Sequence, residues 1–386
     1  MNYEKTTIGL HCTVTSSKRF HASERTKDGV PFYCSKEIIK KVNGEKITEC
    51  DYISEDAYNR VKEEYGVPQT GDLLITTRGT YGIPYIYKEY DKFYFADGNL
   101  TWLKDFDDKL DAEYLYYWIN SYEGQKKIDA IAKGTAQKAV PIALLKEIEI
   151  VIPENPIQKK VVVILKNYDQ LIENNKKQIK LLEEAAQRLY KEWFIDLRFP
   201  GYEETEIIDG VPKDWEKKLI GDIIGKIPRT KQIKTSDYLS EGAIPVVDQS
   251  RDFIAGYTND KDSVVNLEIP IIVFGDHTRI LKYIQFPFAK GADGTQLIIS
   301  DKDNMPQSLL YLSLKAVDLS NYHYARHFKY LKAEIILVPT QEIGDKFDRI
   351  VSPMLNRIQK LRDICNKSSQ ARDRLLPKLL SGEIEA

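Results

Sequence analysis

Cysteine and histidine are scarce in this sequence, which contains four cysteines and five histidines among 386 residues. No two cysteines form a Cys-x-x-Cys pair, so the sequence argues against a zinc ribbon and against a disulfide framework. We therefore expect all four cysteines to be reduced thiols. Only His323 and His327 stand four residues apart, and no third ligand lies near them in the sequence, so we expect no metal site.

Long apolar runs and the common catalytic motifs are also missing. Runs such as Val161–Leu165 are far too short to cross a bilayer, and the opening residues MNYEK lack the hydrophobic region of a signal peptide. These absences predict a cytoplasmic protein without membrane association. The sequence has no Walker-type phosphate loop, no Gly-x-Gly-x-x-Gly after a strand and no His-Glu-x-x-His motif. It therefore favours a binding protein over an enzyme.

Net charge does not identify a partner. The formal charge is −2, and the chain is 42% hydrophobic and 30% charged, which is typical of a globular protein. Nucleic-acid binding depends on local basic patches that face phosphates and not on the charge of the whole chain. The overall charge is therefore compatible with a specific DNA-binding protein.

The most informative feature that is present is a tandem repeat. NYEKTTIG at 2–9 resembles DWEKKLIG at 214–221, and LKEIEIVIP at 145–153 matches LKAEIILVP at 331–339 almost residue for residue. The apolar spacing that follows the first of these prolines is repeated after the second. The sequence thus predicts two copies of an α+β unit, each followed by a long helix, in a pseudo-twofold arrangement.

Within each copy, short apolar stretches bounded by turn residues predict strands. The predicted strands are 71–79, 81–87, 91–98 and 145–153 in the first copy and 242–250, 269–279, 294–300 and 331–339 in the second. Helical spacing predicts a helix over 112–128 and a shorter one over 309–316.

The segments after the repeated prolines carry apolar side chains at spacings of three and four, which predicts long helices with a coiled-coil-like stripe. Asn175 fills one position of the first stripe, and Ile358 replaces Arg357 in the second. Two equivalent stripes pack most simply on each other, and a twofold relation makes the helices antiparallel, with the globular domains at opposite ends. In the alternative, each helix packs on its own domain. The predicted helix-packing residues are Tyr168, Leu182, Leu189, Trp193, Phe347, Ile350, Leu375 and Leu379.

Polar loops with glycine occur at matching places in both copies. Arg and Lys can hydrogen-bond guanine, Gln and Asn can hydrogen-bond adenine, and small residues let the backbone approach phosphates. These loops predict DNA contacts, although polar loops that are merely solvated would look the same. The candidates are Arg78, Thr80, Lys133, Gln137 and Lys138 in the first copy and His277, Arg279, Gln296, Arg326, His327 and Lys329 in the second.

Several segments resemble the DNA specificity subunit of type I restriction-modification systems. They are AQRLYKEWFIDLRFPG at 186–201, GVPKDWE at 210–216, YARHFKYLKAEIILVP at 324–339 and RLLPKLLSGEIEA at 374–386. VFGDHTRILKYIQFPFAKGADGTQ at 273–296 resembles one version of that family's target recognition domain. Gln158 fits the family's Glu-Gln pattern after the first proline, but Gly344 stands at the corresponding place in the second repeat.

The resemblance implies a division of labour among several chains. Residues 1–153 and 200–339 would be target recognition domains, each reading one half of a bipartite, asymmetric site in double-stranded DNA. Residues 154–199 and 340–386 would be spacer helices. This chain would be non-catalytic and without a cofactor. Two methyltransferase subunits that bind S-adenosylmethionine, and restriction subunits that translocate DNA with ATP and Mg²⁺, would join it.

Two other classes of function remain open at this point. One is a DNA-modifying or DNA-cleaving enzyme with its recognition domains fused into the chain. The other is a coiled-coil scaffold that never contacts DNA.

Overall fold

A computed structural model describes residues 3–134, 138–291, 293–322 and 326–386. The chain forms two compact units. Unit 1 contains the described residues up to Ile172 together with Lys367–Ala386, and unit 2 is Glu173–Asn366. Two long helices, Asn155–Tyr190 and Gln341–Ser381, contribute residues to both units.

Each of the eight segments predicted as strands contains a strand of the structure, which also has strands and helices that were not predicted. The strands before the first long helix are β1 Tyr3–Thr7, β2 Thr13–Thr15, β3 Val30–Tyr33, β4 Asp51–Ile53, β5 Leu73–Thr76, β6 Pro84–Ile86, β7 Tyr94–Phe95, β8 Leu100–Lys104 and β9 Glu149–Pro153. The helices up to that point are α1 Ile8–His11, α2 Ser35–Val42, α3 Glu55–Glu64, α4 Ala112–Asn120, α5 Tyr122–Ile131, α6 Ile142–Lys146 and the long α7 Asn155–Tyr190.

The second half repeats this plan after a π-helical turn at Lys191–Ile195. Its strands are β10 Ile207–Ile208, β11 Val211–Pro212, β12 Glu216–Leu219, β13 Ile244–Val247, β14 Gly256–Thr258, β15 Val264–Val265, β16 Ile271–Gly275, β17 Leu281–Ile284, β18 Phe288–Lys290, β19 Thr295–Ile298 and β20 Ile335–Val338. Its helices are α8 Gln307–Ala316, α9 His327–Ala333 and the long α10 Gln341–Ser381.

The repeated sequence segments form the same antiparallel pair in each unit. In unit 1, β1 pairs with β9, with Tyr3 opposite Pro153. In unit 2, β12 pairs with β20, with Glu216 opposite Val338. In each unit, the strand formed by the first repeated segment thus pairs with the strand that precedes the long helix, which confirms the repeat predicted from the sequence.

The sheets of the two units have matching connections. Unit 1 has a four-stranded sheet in the order β2-β8-β5-β6 and a smaller one in the order β4-β3-β7. Unit 2 has the orders β17-β16-β19 and β14-β13-β18-β15. One sheet of each unit contains a parallel pair, β3 with β7 in unit 1 and β13 with β18 in unit 2. The similarity of the repeats therefore extends to strand topology.

The helix predicted over 112–128 is two helices, because the chain turns at Ser121. The Ser121 hydroxyl oxygen accepts a hydrogen bond from the Gly124 backbone N–H at 3.1 Å and so caps α5. A Cβ on Gly124 would lie 2.1 Å from the Trp118 carbonyl oxygen. The sequence pattern kept helical spacing across the turn, but the close approach at Gly124 breaks it.

The long helices pack on each other within each unit. In unit 2 the Arg362 guanidinium lies 2.7 Å from the Glu183 carboxylate, and the ring centroids of Trp193 and Phe347 are 5.6 Å apart. Residue numbers rise along α7 while those of the partners on α10 fall, so the helices are antiparallel. In unit 1 Arg372 lies 2.6 Å from Asp169. The predicted α+β fold with two packed, antiparallel helices is thereby confirmed.

One of the four helix-packing candidates on α10, Ile350, lies outside the buried stripe of the helix. Ile350 is 41% exposed, whereas Val351, the next residue, is fully buried. Placing Ile350 in the packing seam was therefore wrong. The buried residues of this stretch are Ile343, Phe347, Val351, Leu355 and Ile358. Their spacings of four, four, four and three residues average 3.75, which is longer than the 3.5-residue period of a coiled coil.

The other helix-packing candidates lie at or near the core. Trp193, Phe347 and Leu379 are buried, while Tyr168, Leu182, Leu189 and Leu375 are half-buried. Asn175 and Ile358 are buried, and Arg357 is exposed, as predicted.

Gly344 departs from the family pattern for a structural reason. In unit 1 the fully buried Gln158 side chain donates to the Pro153 carbonyl oxygen at 2.8 Å, which fixes the start of α7. In unit 2 the Asn304 side chain donates to the equivalent Pro339 carbonyl oxygen at 2.7 Å. A Cβ on Gly344 would lie 2.5 Å from the Asn304 carbonyl oxygen. Glycine therefore makes room for Asn304, which replaces the glutamine.

We expect Gly344→Ala to destabilise the protein, although alanine normally favours a helix over glycine by about 1 kcal/mol. The added methyl group would clash with the Asn304 carbonyl oxygen, which should lower the free energy of unfolding by about 1–3 kcal/mol. Urea unfolding of the purified chain measures the change. Arg349→Ala, at an exposed position of α10, is the control and should stay within about 0.5 kcal/mol of the parent. A stabilised Gly344→Ala protein would contradict the close approach of Asn304.

Candidate nucleic-acid interface

In unit 1, the loops that follow the central strands are joined by backbone hydrogen bonds. Thr77 N–H donates to the Asn99 carbonyl oxygen at 2.8 Å, and Val140 N–H donates to the Thr77 carbonyl oxygen at 2.9 Å. Gly79 N–H donates to the Lys138 carbonyl oxygen at 3.3 Å. We call residues 76–83, 97–99, 133–134 and 138–140 the first loop surface. These hydrogen bonds hold the loops of the surface together.

Four of the five candidates of the first copy lie together on this surface. Arg78 is opposite Ala139 in a β-bridge, and Ala139 is also opposite Lys133. Arg78, Thr80, Lys133 and Lys138 are all exposed. The three cations have no ion-pair partner within the described ranges, so their charge is not neutralised by the protein. Gln137 lies outside the described residues.

In unit 2, the turn after β16 is held in the same way. Asp276 N–H donates to the Gly294 carbonyl oxygen at 2.7 Å, as Thr77 N–H does to Asn99 in unit 1. We call residues 248–250, 276–280, 291, 293–294, 319–322 and 326–329 the second loop surface. These equivalent hydrogen bonds align Thr77 of the first repeat with Asp276 of the second. In the same alignment, Arg78 corresponds to His277 and Thr80 to Arg279.

Gln249 holds this turn against the glycine-containing loop and was missed in the sequence. Its Oε1 accepts from the His277 N–H at 3.1 Å, and its Nε2 donates to the Asp293 carbonyl oxygen at 3.0 Å. The Thr278 hydroxyl donates to the Gln249 carbonyl oxygen at 2.7 Å. The role of Gln249 is visible only from its hydrogen bonds to residues distant in the sequence, because the residues around it are typical of any polar turn.

Arg279 has a backbone conformation that is unusual for a residue with a side chain. Its φ is +61°, and its Nη1 donates to the Leu319 carbonyl oxygen at 2.8 Å. Within the described ranges, the guanidinium group makes no other hydrogen bond. Hydrogen bonds from Ser320 lower the pKa of the nearby Asp318 carboxyl, and the positive charge of Arg279 lowers it further. Asp318 is therefore an acidic boundary beside Arg279.

The remaining candidates of unit 2 differ in exposure. His277, Arg326 and Lys329 are exposed, and Gln296 is half-buried on β19 opposite Phe274. Burial lowers the pKa of Lys290, at the end of β18, and the Asp293 carboxylate opposes this shift. The second loop surface thus offers an imidazole, two guanidinium groups and an ammonium group to a ligand.

His327 is a structural residue and not a contact. Its ring is buried, with Nδ1 2.8 Å from the Asp276 carbonyl oxygen and Nε2 2.9 Å from the Tyr322 carbonyl oxygen. The Asp276 carboxylate accepts from the Phe328 N–H at 2.7 Å. Both ring nitrogens are thus occupied inside the unit, which corrects the prediction that His327 contacts DNA. The ring connects the turn after β16 to the start of α9.

The chemistry of both loop surfaces suits binding to an anionic, hydrogen-bonding ligand. Cations and amides on fixed turns are typical of nucleic-acid recognition. Among the described residues, no group of three His, Cys, Asp or Glu side chains is arranged to hold a metal ion. Within the same ranges, no helix is both long and apolar enough to cross a bilayer.

Comparison with known proteins identifies relatives that share this organisation. Residues 2–184 match the family model for the type I restriction modification DNA specificity domain. The type I restriction enzyme MjaIX specificity subunit of Methanocaldococcus jannaschii is 28% identical over 348 residues, which cover 81% of this chain and 78% of the relative. A putative type I restriction enzyme specificity subunit of Haemophilus influenzae is 28% identical over 46% of this chain and 43% of its own length.

The fold has a solved counterpart. The crystal structure of a type I restriction-modification system S subunit from M. genitalium superposes with a TM-score of 0.65 at 18% identity, covering 98% of this chain and 96% of that chain. The repeated units and their loop surfaces define a recognition protein built from two similar halves. Residues 2–184 carry the type I restriction modification DNA specificity domain, and over most of its length the chain is similar to specificity subunits of type I restriction-modification systems, the family that its sequence predicted.

Proposed function

We propose that this chain selects the DNA sequence on which a type I restriction-modification complex acts. Each unit reads one half of a bipartite site in double-stranded DNA through its loop surface. The observation that supports this function is the equivalence of the two loop surfaces. Each is held by the same backbone hydrogen bond after a central strand and presents cations to solvent.

The two halves of the site differ in sequence under this proposal. The repeat places Arg78 where unit 2 has His277, and Thr80 where unit 2 has Arg279. A guanidinium group favours guanine, whereas a hydroxyl group is less selective. Similar backbones with different side chains at the reading positions therefore favour an asymmetric site.

In the proposed complex, recognition and catalysis are divided between chains. This chain contacts DNA and recruits two methyltransferase subunits, which bind S-adenosylmethionine, and restriction subunits, which use ATP and Mg²⁺. It contributes no catalytic group of its own and acts in the cytoplasm. The names of its relatives as specificity subunits support this division.

Co-expression of the chain with a cognate methyltransferase subunit, followed by modified-base sequencing of the host DNA, tests the function. We expect methylation at a motif of two short blocks separated by a fixed, unspecified gap. Host cells that express either chain alone are the controls and should lack the motif.

Two outcomes would contradict this function. An assembled complex that creates no motif would refute sequence selection. Methylation or cleavage by the purified chain alone would favour the enzyme with fused recognition domains. A chain that neither joins the methyltransferase nor shifts DNA in a gel would favour the scaffold.

A further inference from the structure

A basic segment precedes β13, in the four-stranded sheet of unit 2, and was not among the sequence candidates. Its cations Lys226, Arg229, Lys231 and Lys234 are all exposed, and no acidic residue occurs from Lys226 to Lys234. Lys231 pairs with Asp260 at 2.6 Å. The other three have no ion-pair partner in the part of the chain that the structure describes. We call residues 226–234 the basic segment.

Two hydrogen bonds fix the basic segment against the second loop surface. Ile233 N–H donates to the Lys290 carbonyl oxygen at 3.0 Å, and the Gln232 Nε2 donates to the Gly291 carbonyl oxygen at 2.8 Å. Ile233 itself is buried. Gly291 starts the loop that Gln249 ties to His277, so the cations stand beside the turn that carries the reading candidates. Their position is set by the fold and not by a free tail.

Unit 1 has a similar segment at the same place in the repeat. Lys18 N–H donates to the Tyr94 hydroxyl oxygen at 2.7 Å, and the Arg19 guanidinium lies 2.7 Å from the Asp97 carboxylate. Asp97 belongs to the first loop surface. However, Arg25 is also paired, with Asp51 at 2.6 Å. Two of the cations in unit 1 are therefore partly neutralised, whereas three in unit 2 are not.

We propose that the basic segment of unit 2 binds the phosphate backbone of DNA next to the half-site that the unit reads. This inference rests on the proposed function and adds to it a contact that is independent of base sequence. Lys226, Arg229 and Lys234 have long side chains that nothing in the described structure holds in one direction. Phosphate binding needs only their charge, whereas base reading needs a fixed geometry.

A salt series of DNA binding by the assembled methyltransferase complex tests the assignment. The variant is Lys226→Gln with Arg229→Gln and Lys234→Gln. Each lost phosphate contact lowers the slope of log affinity against log salt by about 0.9, so we expect a decrease of about 2–3. Affinity at 0.15 M salt should fall about 10- to 100-fold, equally for the specific duplex and an unrelated one. The methylated motif should not change.

Two further variants serve as matched controls. The first control, Lys177→Gln with Arg357→Gln and Lys360→Gln, removes three positive charges from exposed helix positions of unit 2. It should leave the slope unchanged. Lys226→Arg with Arg229→Lys and Lys234→Arg keeps the charges and should keep the slope, which separates lost charge from misfolding.

The basic segment is not a phosphate contact if the neutral variant keeps the parent slope, or if the charge-conserving variant loses as much affinity. Loss of specific binding alone would also overturn the assignment. The proposed function is judged separately by the parent complex. If that complex does not distinguish the specific duplex from the unrelated one, the function fails whatever the variants do.

Discussion

Phe347→Ala should destabilise unit 2 by about 3–5 kcal/mol, the usual cost of removing a buried aromatic ring. The Phe347 side chain is fully buried, and its ring centroid lies 5.1 Å from that of Phe194 and 5.6 Å from that of Trp193. The truncation leaves a cavity beside the rings of Trp193 and Phe194, where the π-helical turn after α7 packs on α10. Urea unfolding followed by tryptophan fluorescence measures the loss, because Trp193 borders the cavity.

Ile350→Ala is the matched control for this truncation. Ile350 is 41% exposed, so its loss should cost less than about 1 kcal/mol. The coiled-coil spacing read from the sequence places Ile350 in the seam and predicts a core-like cost for it. If Ile350→Ala destabilised the protein as much as Phe347→Ala, Ile350 would lie in the helix-packing seam, as the sequence predicted, and the exposed position of Ile350 would be contradicted.

The repeat was predictable because its signal is local and strong. The first strand of each repeat, β1 or β12, and the strand that precedes each long helix, β9 or β20, carry recognisable sequence, whereas their pairing was not predicted. The sequence predicted that α10 has one buried apolar face, but it did not predict which of two adjacent residues lies on that face. Residues three and four apart share one face of a helix, but the choice between Ile350 and Val351 depends on whether the partner is a helix or a domain core.

The inner support of the loop surfaces could not be predicted from the sequence. His327 resembles a contact residue because it lies in a segment rich in Arg, His and Lys. Its burial depends on the Asp276 carbonyl oxygen, 51 positions away in the chain. Gln249 likewise acts through His277 and Asp293. Such side-chain hydrogen bonds pair with backbone N–H and carbonyl groups that are buried or lie in turns. Only the folded structure shows which backbone groups lack a partner within a helix or sheet.

Arg279→Ala should weaken or relax recognition of one half-site only, while the other half is read normally. The Arg279 side chain uses one donor on the Leu319 carbonyl oxygen, and its other donors remain for a base edge. A bidentate contact to guanine contributes about 1–3 kcal/mol, so affinity should fall about 5- to 150-fold for DNA that carries the cognate base. Alanine also has a Cβ atom, so the backbone strain at the positive φ of residue 279 is the same in both proteins. The change in affinity therefore reports the lost side-chain contact.

Arg78→Ala in unit 1 is the reciprocal variant, because the repeat puts Arg78 on the equivalent turn of the other loop surface. Binding of each variant complex to duplexes altered in one half-site at a time gives four combinations. If the units read separately, Arg279→Ala abolishes sensitivity to changes in one half and Arg78→Ala abolishes sensitivity to changes in the other. Equal loss of discrimination at both halves in either variant would show that the two loop surfaces do not act as separate reading modules.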